Sequence, residues 1–458
     1  MSNDETIAQS VLFPDLCPKP LVATFTEDDT SSDGGAVLLK AADRRLGLLD
    51  ALAATVRDGR DADRTRHTGR DLLAQRIFAI ALGYPDGNDA ARLADDPLHK
   101  LLLDRDPIDG RALASQPTIS RFEHTATPRS LLRLGHALTD TVIARHRRRH
   151  RRAKRITLDI DVTADPTHGA QQLTFFNGVY GSWCYLPLVA FLTFDDEPRQ
   201  YLVAAILRPG NAPTTTGVRG LLKRLLPKLW VAFPRAGLRV RLDGGFASPE
   251  TFELLETAGV EYVVAMAKNR VLTALAEPLL QQVRAPAVTT GTTTTTYGEA
   301  GYQAKTWRHP RRVIIKAEVV CLARREPRDN PRFLITNLRQ APRWIDTQVY
   351  AARGDSENRL KELHHDLAFG RTSWTRFHAN QLRVLLTAAA DVLLQELQIR
   401  AARTRFARAQ VSTLRLALLK IGVRVVRSVR RLVLHLPRAH PAADVWRTLA
   451  WRLGAVAR

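Results

Sequence analysis

The sequence predicts an α/β protein built on a mixed β-sheet. Between residues 156 and 268, five short apolar runs have the composition and spacing of strands: ITLDIDVT, LPLVAFLTF, YLVAAILRP, LRVRLDGGF and EYVVAMAK. The first three follow one another directly, so they can pair antiparallel. Each of the last two is preceded by a helical stretch, which favours parallel pairing.

The region before these strands is predicted to be helical. Residues 36–149 contain apolar residues at helical spacing, and Gly83 followed by Pro85 ends one of the helices. The segment LASQPTISRFEH opens a further helix at Ser115 and is either a recognition helix or an ordinary bundle helix. Residues 1–35 are polar and are predicted to form a mobile arm.

The region after the strands is predicted to be a β-rich insertion followed by helices. Residues 273–345 contain a threonine run at 289–296 and two strand-like pieces, RRVIIKAEVVCLA and RFLITNL. From Tyr350 onward the pattern is helical, and helices are expected to continue to the C-terminus.

The charge of the chain predicts a polyanionic partner. The 458 residues include 68 Lys and Arg against 46 Asp and Glu, which gives a net charge of +22. Residues 145–155 form a dense basic run in which Arg148 and Arg151 are candidate phosphate contacts, and residues 401–458 hold 12 Arg, one Lys and one Asp. A basic run of this kind is otherwise a solvated helix end.

Several classes of protein are disfavoured by the sequence. Cys17, Cys184 and Cys321 are too far apart for a cysteine zinc site or a disulfide framework. The N-terminus lacks the order of a signal peptide, and the apolar runs fall short of the roughly 18 residues that a spanning helix needs. We therefore expect a soluble intracellular protein without a membrane partner, in which any metal is held by carboxylates or histidines.

Three acids are candidates for a metal centre. Asp161 lies in the first strand, Asp243 ends the fourth, and Glu357 lies on the helix after the insertion. If the first and fourth strands are adjacent, the two aspartates face each other and the helix can deliver Glu357. Three converging carboxylates repel one another unless cations lie between them, and two Mg²⁺ ions about 4 Å apart would serve phosphoryl transfer. Spacing alone also allows the alternative that the aspartates cap turns and that Glu357 is solvated.

The sequence resembles the DDE transposases of bacterial insertion sequences, most closely the insertion-sequence 1380 family. Nine segments carry the resemblance in the family's order and across nearly the whole chain: SDGG, GYPDGNDAARLADDP, LASQPTISRFE, LDIDVTADPTHGAQQ, FFNGVYGSWCYLPL, LRPGNA, RLDGGFAS, YAARGDSENRLKEL and FHANQLR.

The resemblance implies an RNase H-like catalytic domain with a β-rich insertion before its last acidic helix. It implies that Asp161, Asp243 and Glu357 are the metal-binding triad. Asp161 is favoured because the family places this acid in an Asp-x-Thr context, here ending at Thr163, and Asp159 on the same face of the strand is the alternative.

The resemblance also implies roles around the last acid. Related transposases carry a Tyr-x2-Arg-x3-Glu-x6-Lys signature, which Tyr350 and Arg353 match, while His364 stands at the lysine position. Lys361, one helical turn after Glu357, could take the place of that lysine. Arg353 would hold a phosphate near the scissile bond, and Tyr350 would position or stack on the terminal nucleotide.

The implied function is Mg²⁺-dependent cleavage and strand transfer at the terminal inverted repeats of an insertion sequence, with Mn²⁺ as a possible substitute. The implied partners are transposon-end DNA and target DNA, bound by a homodimer in the bacterial cytoplasm at the nucleoid. Two alternatives are a non-catalytic DNA-binding protein derived from a transposase and an RNase H-like nuclease without end specificity.

The expected regions are an N-terminal arm with a helical DNA-binding region (1–150), the first part of the catalytic domain (151–272), the insertion (273–345), the last part of the catalytic domain (346–400) and a basic helical tail (401–458).

Overall fold

The structure, a computed structural model, describes residues 11–13, 16, 18–19, 21–56, 60–61 and 65–456. Cys17 lies outside the described residues. The strands are β1 (Val11–Phe13), β2 (Leu21–Ala23), β3 (Thr30–Ser31), β4 (Arg155–Val162), β5 (Asp165–Pro166), β6 (Phe175–Asn177), β7 (Ser182–Tyr185), β8 (Leu188–Phe194), β9 (Tyr201–Ile206), β10 (Gly237–Leu242), β11 (Glu261–Met266), β12 (Thr294–Tyr302), β13 (Arg311–Val320), β14 (Arg328–Asp329), β15 (Arg332–Thr336), β16 (Val423–Ser428) and β17 (Arg431–His435).

The α-helices are α1 (Val37–Leu46), α2 (Leu48–Ala53), α3 (Gly69–Leu82), α4 (Asp89–Arg92), α5 (Pro97–Leu102), α6 (Gln116–His124), α7 (Pro128–Arg149), α8 (Val218–Ala232), α9 (Pro249–Thr257), α10 (Arg270–Thr290), α11 (Pro342–Trp344), α12 (Asp355–Lys361), α13 (Phe377–Arg400), α14 (Val411–Leu414) and α15 (Ala443–Arg452). Short 3₁₀ segments cover Gly34–Ala36, Gly244–Phe246 and Ala351–Gly354, and π-helical turns cover Ile345–Tyr350, Glu362–Asp366 and Arg415–Leu419.

A mixed nine-stranded sheet forms the centre of the molecule. Its strand order is β12-β13-β15-β11-β10-β4-β8-β9, and β14 pairs with β13 at one side. Strands β4, β8 and β9 pair antiparallel, whereas β10 lies parallel to both β4 and β11. The predicted α/β class and the predicted directions of the first five strands are confirmed.

The pairing of β4 with β10 decides where the candidate acids lie. Arg241 is the partner of Asp159 in the register of these parallel strands. Continuing that register by two residues brings Asp243 opposite Asp161. The condition that the first and fourth predicted strands are adjacent is therefore met, and both aspartates lie at the carboxyl edge of the sheet.

The predicted β-rich insertion is only partly correct. It begins with α10, a 21-residue helix that contains Pro278 and Pro286 and includes the start of the threonine run. Strands β12, β13 and β15 then extend the central sheet antiparallel from β11, so the insertion shares the sheet of the first five strands. The two prolines suggest an irregular segment in the sequence, but α10 packs against β12 and β13 along an apolar face that includes Leu280 and Val283.

A helical layer covers the side of the sheet next to β9. Helix α13 is buried along most of its 24 residues and packs against α1, α3, α7 and β9. Inside this layer, Arg76 Nε lies 2.8 Å from Glu123 Oε1 of α6. Gly83, with φ +93°, ends α3 as predicted.

The prediction of a mobile arm is wrong for residues 30–35. Strand β3 pairs with β16, and the carboxylate of buried Asp33 lies 3.0 Å from His99 Nε2 and 2.7 Å from Lys420 Nζ. The two following glycines allow the backbone to approach closely, because a Cβ at Gly35 would lie 1.8 Å from the carbonyl oxygen of Leu418. The SDGG motif therefore joins the two ends of the chain.

The C-terminal region is not wholly helical, which corrects the predicted helical tail. Strands β16 and β17 form a hairpin in which Ser428 pairs with Arg431. Their sequence, VRVVRS followed by RLVLH, is rich in β-branched residues, which favour strands over helices. Along the part of the chain that the structure describes, every helix is too short or too polar to cross a membrane.

Candidate functional site

The site lies where β4 and β10 end. Asp161 is the seventh residue of β4 and is buried, while Asp243 follows β10 directly and is partly exposed. Asp161 Oδ1 accepts a hydrogen bond from the Val162 amide at 2.9 Å, and Asp243 Oδ1 accepts one from the Gly245 amide at 2.9 Å. Each carboxylate is thus fixed by a backbone amide through one oxygen, Oδ1.

One guanidinium nitrogen lies near the second oxygen, Oδ2, of both carboxylates. Arg353 Nη2 lies 2.9 Å from Asp161 Oδ2 and 3.8 Å from Asp243 Oδ2. Burial and the neighbouring Asp243 raise the pKa of Asp161, whereas the charge of Arg353 lowers it. The Nε of Arg353 is buried and has no hydrogen-bond partner among the described residues. Arg353 therefore acts as the counter-cation of two acids and retains an unused donor.

Glu357 is not brought to the two aspartates. Its neighbour Ser356 is fully buried on the inner face of α12 and donates a hydrogen bond of 3.4 Å to Asp161 Oδ2, whereas Glu357 is exposed. Within the residues that the structure describes, no three His, Cys, Asp or Glu side chains are placed to hold a metal ion. The structure therefore brings together two of the three predicted acids, with Arg353 and Ser356 in place of the third.

The helix that carries Glu357 is irregular on both sides of it. A π-helical turn ends at Tyr350, a 3₁₀ segment follows, and a second π-helical turn begins at Glu362. Each change of winding rotates the residues beyond it around the axis, so the winding decides which side chain faces β4. Segments of this kind are frequent at functional sites.

Asp159, the alternative metal ligand, is paired within the fold. Its two oxygens lie 2.7 and 2.6 Å from Arg241 Nε and Nη2, and Gln200 Nε2 donates to it at 2.9 Å. Arg241 also donates from Nη1 to the carbonyl of Val349 at 2.7 Å. This buried pair thus supplies a donor to the π-helical turn before Tyr350 and leaves Asp159 without a free oxygen.

The remaining residues of the signature occupy distinct environments. Tyr350 is half-buried, and burial first, then the charges of Asp243 and Asp161, raise the pKa of its hydroxyl. His364 Nε2 lies 2.9 Å from Thr163 Oγ1, and burial lowers its pKa, so the ring is neutral. Lys361 is exposed. At the position of the expected lysine, a neutral histidine thus contacts Thr163, two residues after Asp161.

The basic run at residues 145–155 is divided between two roles. Arg145 is buried against Glu396 of α13 with its Nε 3.0 Å from Oε2, and Arg149 pairs with Glu197 in the connection between β8 and β9, so both arginines have partners within the fold. Arg148 and Arg151 are exposed and line a cleft of about 990 Å³. The cleft also contains other basic side chains, Arg147, Lys228 and Arg235.

This basic cleft lies at the opposite edge of the sheet from the acids. Arg151 and Arg235 precede the starts of β4 and β10, and the Gly237 amide donates to the Lys154 carbonyl at that edge. An eight-residue strand spans about 25 Å, so roughly that distance separates the cleft from the acids.

Sequence reasoning missed several residues near the acids. Ser356 and Thr163 lie within quoted motifs, yet only the winding of α12 and the placement of His364 show what they contact. The residue pattern at 173–185, which is apolar and aromatic without a charge, was the signal for a further exposed element beside the site.

The donor set fits a divalent cation in part. Two carboxylate oxygens converge on one cationic nitrogen, which is the arrangement that a hard cation prefers. A third carboxylate would have to come from Glu357 by a rotation of α12. Cys184 and Cys321 are free thiols and take no part.

Comparison with known proteins places the chain in a family. The model of the family described as "Transposase DDE domain group 1" matches residues 13–457. A cryo-EM structure of a piggyBac transposase synaptic complex with hairpin DNA is similar at 11% identity and a TM-score of 0.42, over 84% of this chain and 80% of that chain. No curated protein matches. Because the family model covers nearly the whole chain, the chain belongs to the DDE transposases of domain group 1.

Proposed function

We propose that this protein is a Mg²⁺-dependent transposase that cuts and joins DNA, with Asp161 and Asp243 in its active site. The observation that carries the proposal is the convergence of these two carboxylates on one cationic group, Arg353, at the carboxyl ends of adjacent parallel strands. The carboxyl edge is where open α/β sheets place their sites. Membership in the DDE transposase family supplies the reaction class.

The fold that supports this chemistry is RNase H-like. Three antiparallel strands, β9, β8 and β4, are followed by the parallel strands β10 and β11. The resemblance implied this arrangement, with an insertion between the second and third acids. Helix α10 and strands β12 to β15 occupy that position in the chain.

Asp161 and Asp243 would hold the metal, and a rotation of α12 would bring Glu357 to it. Adjacent positions on an α-helix differ by about 100°, so a change of one residue in the winding exchanges Ser356 for Glu357 on the inner face. The flanking π-helical turns are where such a change could be absorbed. Magnesium, when bound, would polarise the phosphate and lower the pKa of the attacking hydroxyl or water.

Arg353 would then leave the carboxylates and bind a phosphate oxygen of the DNA. Its unpartnered Nε and its Nη2 lie on the same edge of the guanidinium, which suits bidentate binding of a phosphate. Tyr350, whose hydroxyl pKa is raised by burial and by the charges of both acids, would position the terminal nucleotide. Exposed Lys361 is available to a second phosphate, and the neutral His364 holds the segment after Asp161.

Arg148 and Arg151 would bind duplex DNA away from the cut. The cleft that they line is about 25 Å from the acids, which corresponds to roughly seven base pairs of duplex. Binding at both edges would hold the DNA in register along the sheet. Phosphate contacts of this kind position the protein and do not read the sequence.

The remaining features of the proposal rest on the resemblance to the insertion-sequence 1380 family. They are cleavage and strand transfer at terminal inverted repeats, binding of transposon-end and target DNA by a homodimer, a bacterial origin with a cytoplasmic, nucleoid-associated location, two metal ions and the ability of Mn²⁺ to replace Mg²⁺. The division of the chain at residues 150, 272, 345 and 400 is part of the same proposal.

The exposure of Glu357 favours one alternative function. A protein whose third acid stays in solvent would bind DNA ends without cutting them. The test compares the native chain with Asp243→Ala on one transposon-end fragment in Mg²⁺. We expect cleavage by the native chain alone and binding by both. Binding without cleavage by the native chain would support the alternative, and undiminished cleavage by Asp243→Ala would refute the assignment of the acids.

A further inference from the structure

A small uncharged hairpin projects beside the acids. Strands β6 and β7 are joined by the turn 178–181, and residues 173–185 contain no charged side chain although the chain carries a net charge of +22. Phe176 and Trp183 are each 58% exposed, and their ring centroids are 6.4 Å apart. Contiguous exposed aromatic surface is uncommon on a soluble protein and marks an interaction site.

The base of this aromatic hairpin is held firmly. A Cβ at Gly210 would lie 2.1 Å from the carbonyl oxygen of Cys184, so the hairpin packs directly on the backbone of the segment after β9. Asn177 Nδ2 donates to the Gly210 carbonyl at 3.0 Å. Buried Arg208 fixes that segment by donating to the carbonyls of Leu186, Pro213, Thr214 and Thr216. The exposed rings therefore stand on a rigid support.

The hairpin lies at the acid edge of the sheet. Strand β7 pairs with β5, which starts four residues after Asp161. Tyr180 lies in the turn of the hairpin. Burial first, and then the charges of Asp161 and Asp243, raise the pKa of its hydroxyl. The hairpin thus lies beside the edge at which a DNA strand would be bound at the acids.

The chemistry of the hairpin favours bases over phosphates. A surface for the duplex backbone needs Lys or Arg, and residues 173–185 supply neither. Aromatic faces without charge are instead the surface on which unpaired bases stack. The nearby carboxylates also disfavour an anionic membrane surface.

We propose that Phe176 and Trp183 form a stacking site for unpaired bases of the DNA strand held at Asp161 and Asp243. The proposal rests on the proposed function, because it needs a DNA strand at the acids. It adds that the strand is locally unpaired where it passes the hairpin. Stacking would offset the free energy of unpairing and direct the phosphate toward Arg353.

The test measures binding without metal, so that it does not depend on cleavage. The probe is a duplex with a short unpaired overhang that carries 2-aminopurine, compared with the blunt duplex of the same sequence. We expect the full-length chain to bind the overhang duplex more tightly and to quench 2-aminopurine. Phe176→Ala and Trp183→Ala should each reduce that preference by roughly tenfold, in line with the energy of one base–aromatic stack.

Two variants serve as controls. Trp451→Ala removes a tryptophan that is 56% exposed on α15, and Trp183→Tyr keeps an aromatic face; both should retain the preference. An unchanged preference in Trp183→Ala would overturn the proposal. A Trp183→Ala chain that no longer dimerises but keeps its preference for the overhang would also overturn the proposal. That result would show that the hairpin contacts a second copy of the chain. Failure of the proposed function would appear separately, as cleavage that persists in Asp243→Ala.

Discussion

The two edges of the central sheet carry opposite charges in very different environments. At the carboxyl edge, buried Asp161 and partly exposed Asp243 share one guanidinium. At the other edge, Arg148 and Arg151 are exposed in an open cleft. Buried charges cost free energy unless they are paired, whereas exposed charges cost little. The acid edge therefore depends on its pairing with Arg353, whereas the exposed arginines of the basic edge need no partner and remain available for binding.

The largest expected effect separates the two aspartates of β4. Asp161→Asn should lower cleavage roughly a thousandfold or more, because a ligand of the proposed metal is lost, while stability changes little. Asp159→Asn should instead destabilise the fold by about 3–5 kcal/mol, since Arg241 is left buried without its carboxylate. Urea unfolding and cleavage assays on both variants measure this. If Asp159→Asn unfolds like the native chain, the structural role of the pair is wrong.

A second prediction concerns the pH dependence that the acid edge gives to stability. Asp165, in β5, is buried with one oxygen unpaired, and burial raises its pKa to about 7. Between about pH 4 and 7 the unfolded chain releases this proton while the folded chain keeps it, so stability falls as the pH rises. The loss is on the order of 4 kcal/mol at most.

The test of this prediction is Asp165→Asn, which keeps an acceptor for the Thr372 hydroxyl. Urea unfolding at pH 5 and pH 8 should show a smaller fall for the variant than for the native chain. Asp391 of α13, whose pKa burial also raises to about 7, has the same sign and preserves part of the slope. An identical fall in both proteins would show that Asp165 is ionised in the fold.

A third prediction tests Arg353 as the cation of the acid edge. Without metal, Arg353→Gln should unfold more easily than the native chain, because two carboxylates lose their shared partner. Mg²⁺ should stabilise the variant more than the native chain, since no guanidinium has to be displaced. Cleavage should fall roughly a hundredfold if the side chain then holds a phosphate. Equal thermal shifts by Mg²⁺ would show that Arg353 and the metal do not compete.

At the acid edge, some features could be predicted from the sequence and others could not. The adjacency of β4 and β10 could be predicted, because strand order and the position of each aspartate are local patterns with few compatible topologies. The direction of Glu357 could not. It depends on the winding around Tyr350, and that winding is coupled to the hydrogen bond from Arg241 to Val349, a contact between residues 108 positions apart in the sequence.

In the basic regions, the partners of the arginines could not be predicted from the sequence. The sequence gives the number of arginines but not their partners, since a long side chain can reach many acids. Arg145 forms a buried ion pair with Glu396, whereas Arg148, three residues later, is exposed. In the C-terminal region, Arg405 pairs with Asp444 and Arg424 with Asp29, so part of that positive charge is already neutralised within the fold.

The smallest expected effect tests the basic edge by itself. Arg148→Gln together with Arg151→Gln should weaken duplex binding about tenfold and reduce the slope of log affinity against log salt by roughly two, because two phosphate contacts are lost. Arg405→Gln with Arg424→Gln removes the same charge from residues already paired, so its effect should be smaller. The two double variants should bind equally well to a duplex that is too short to extend about 25 Å from the cut. Equal weakening by both double variants would mean that binding follows total charge, and the two edges would then have no separate roles in holding DNA.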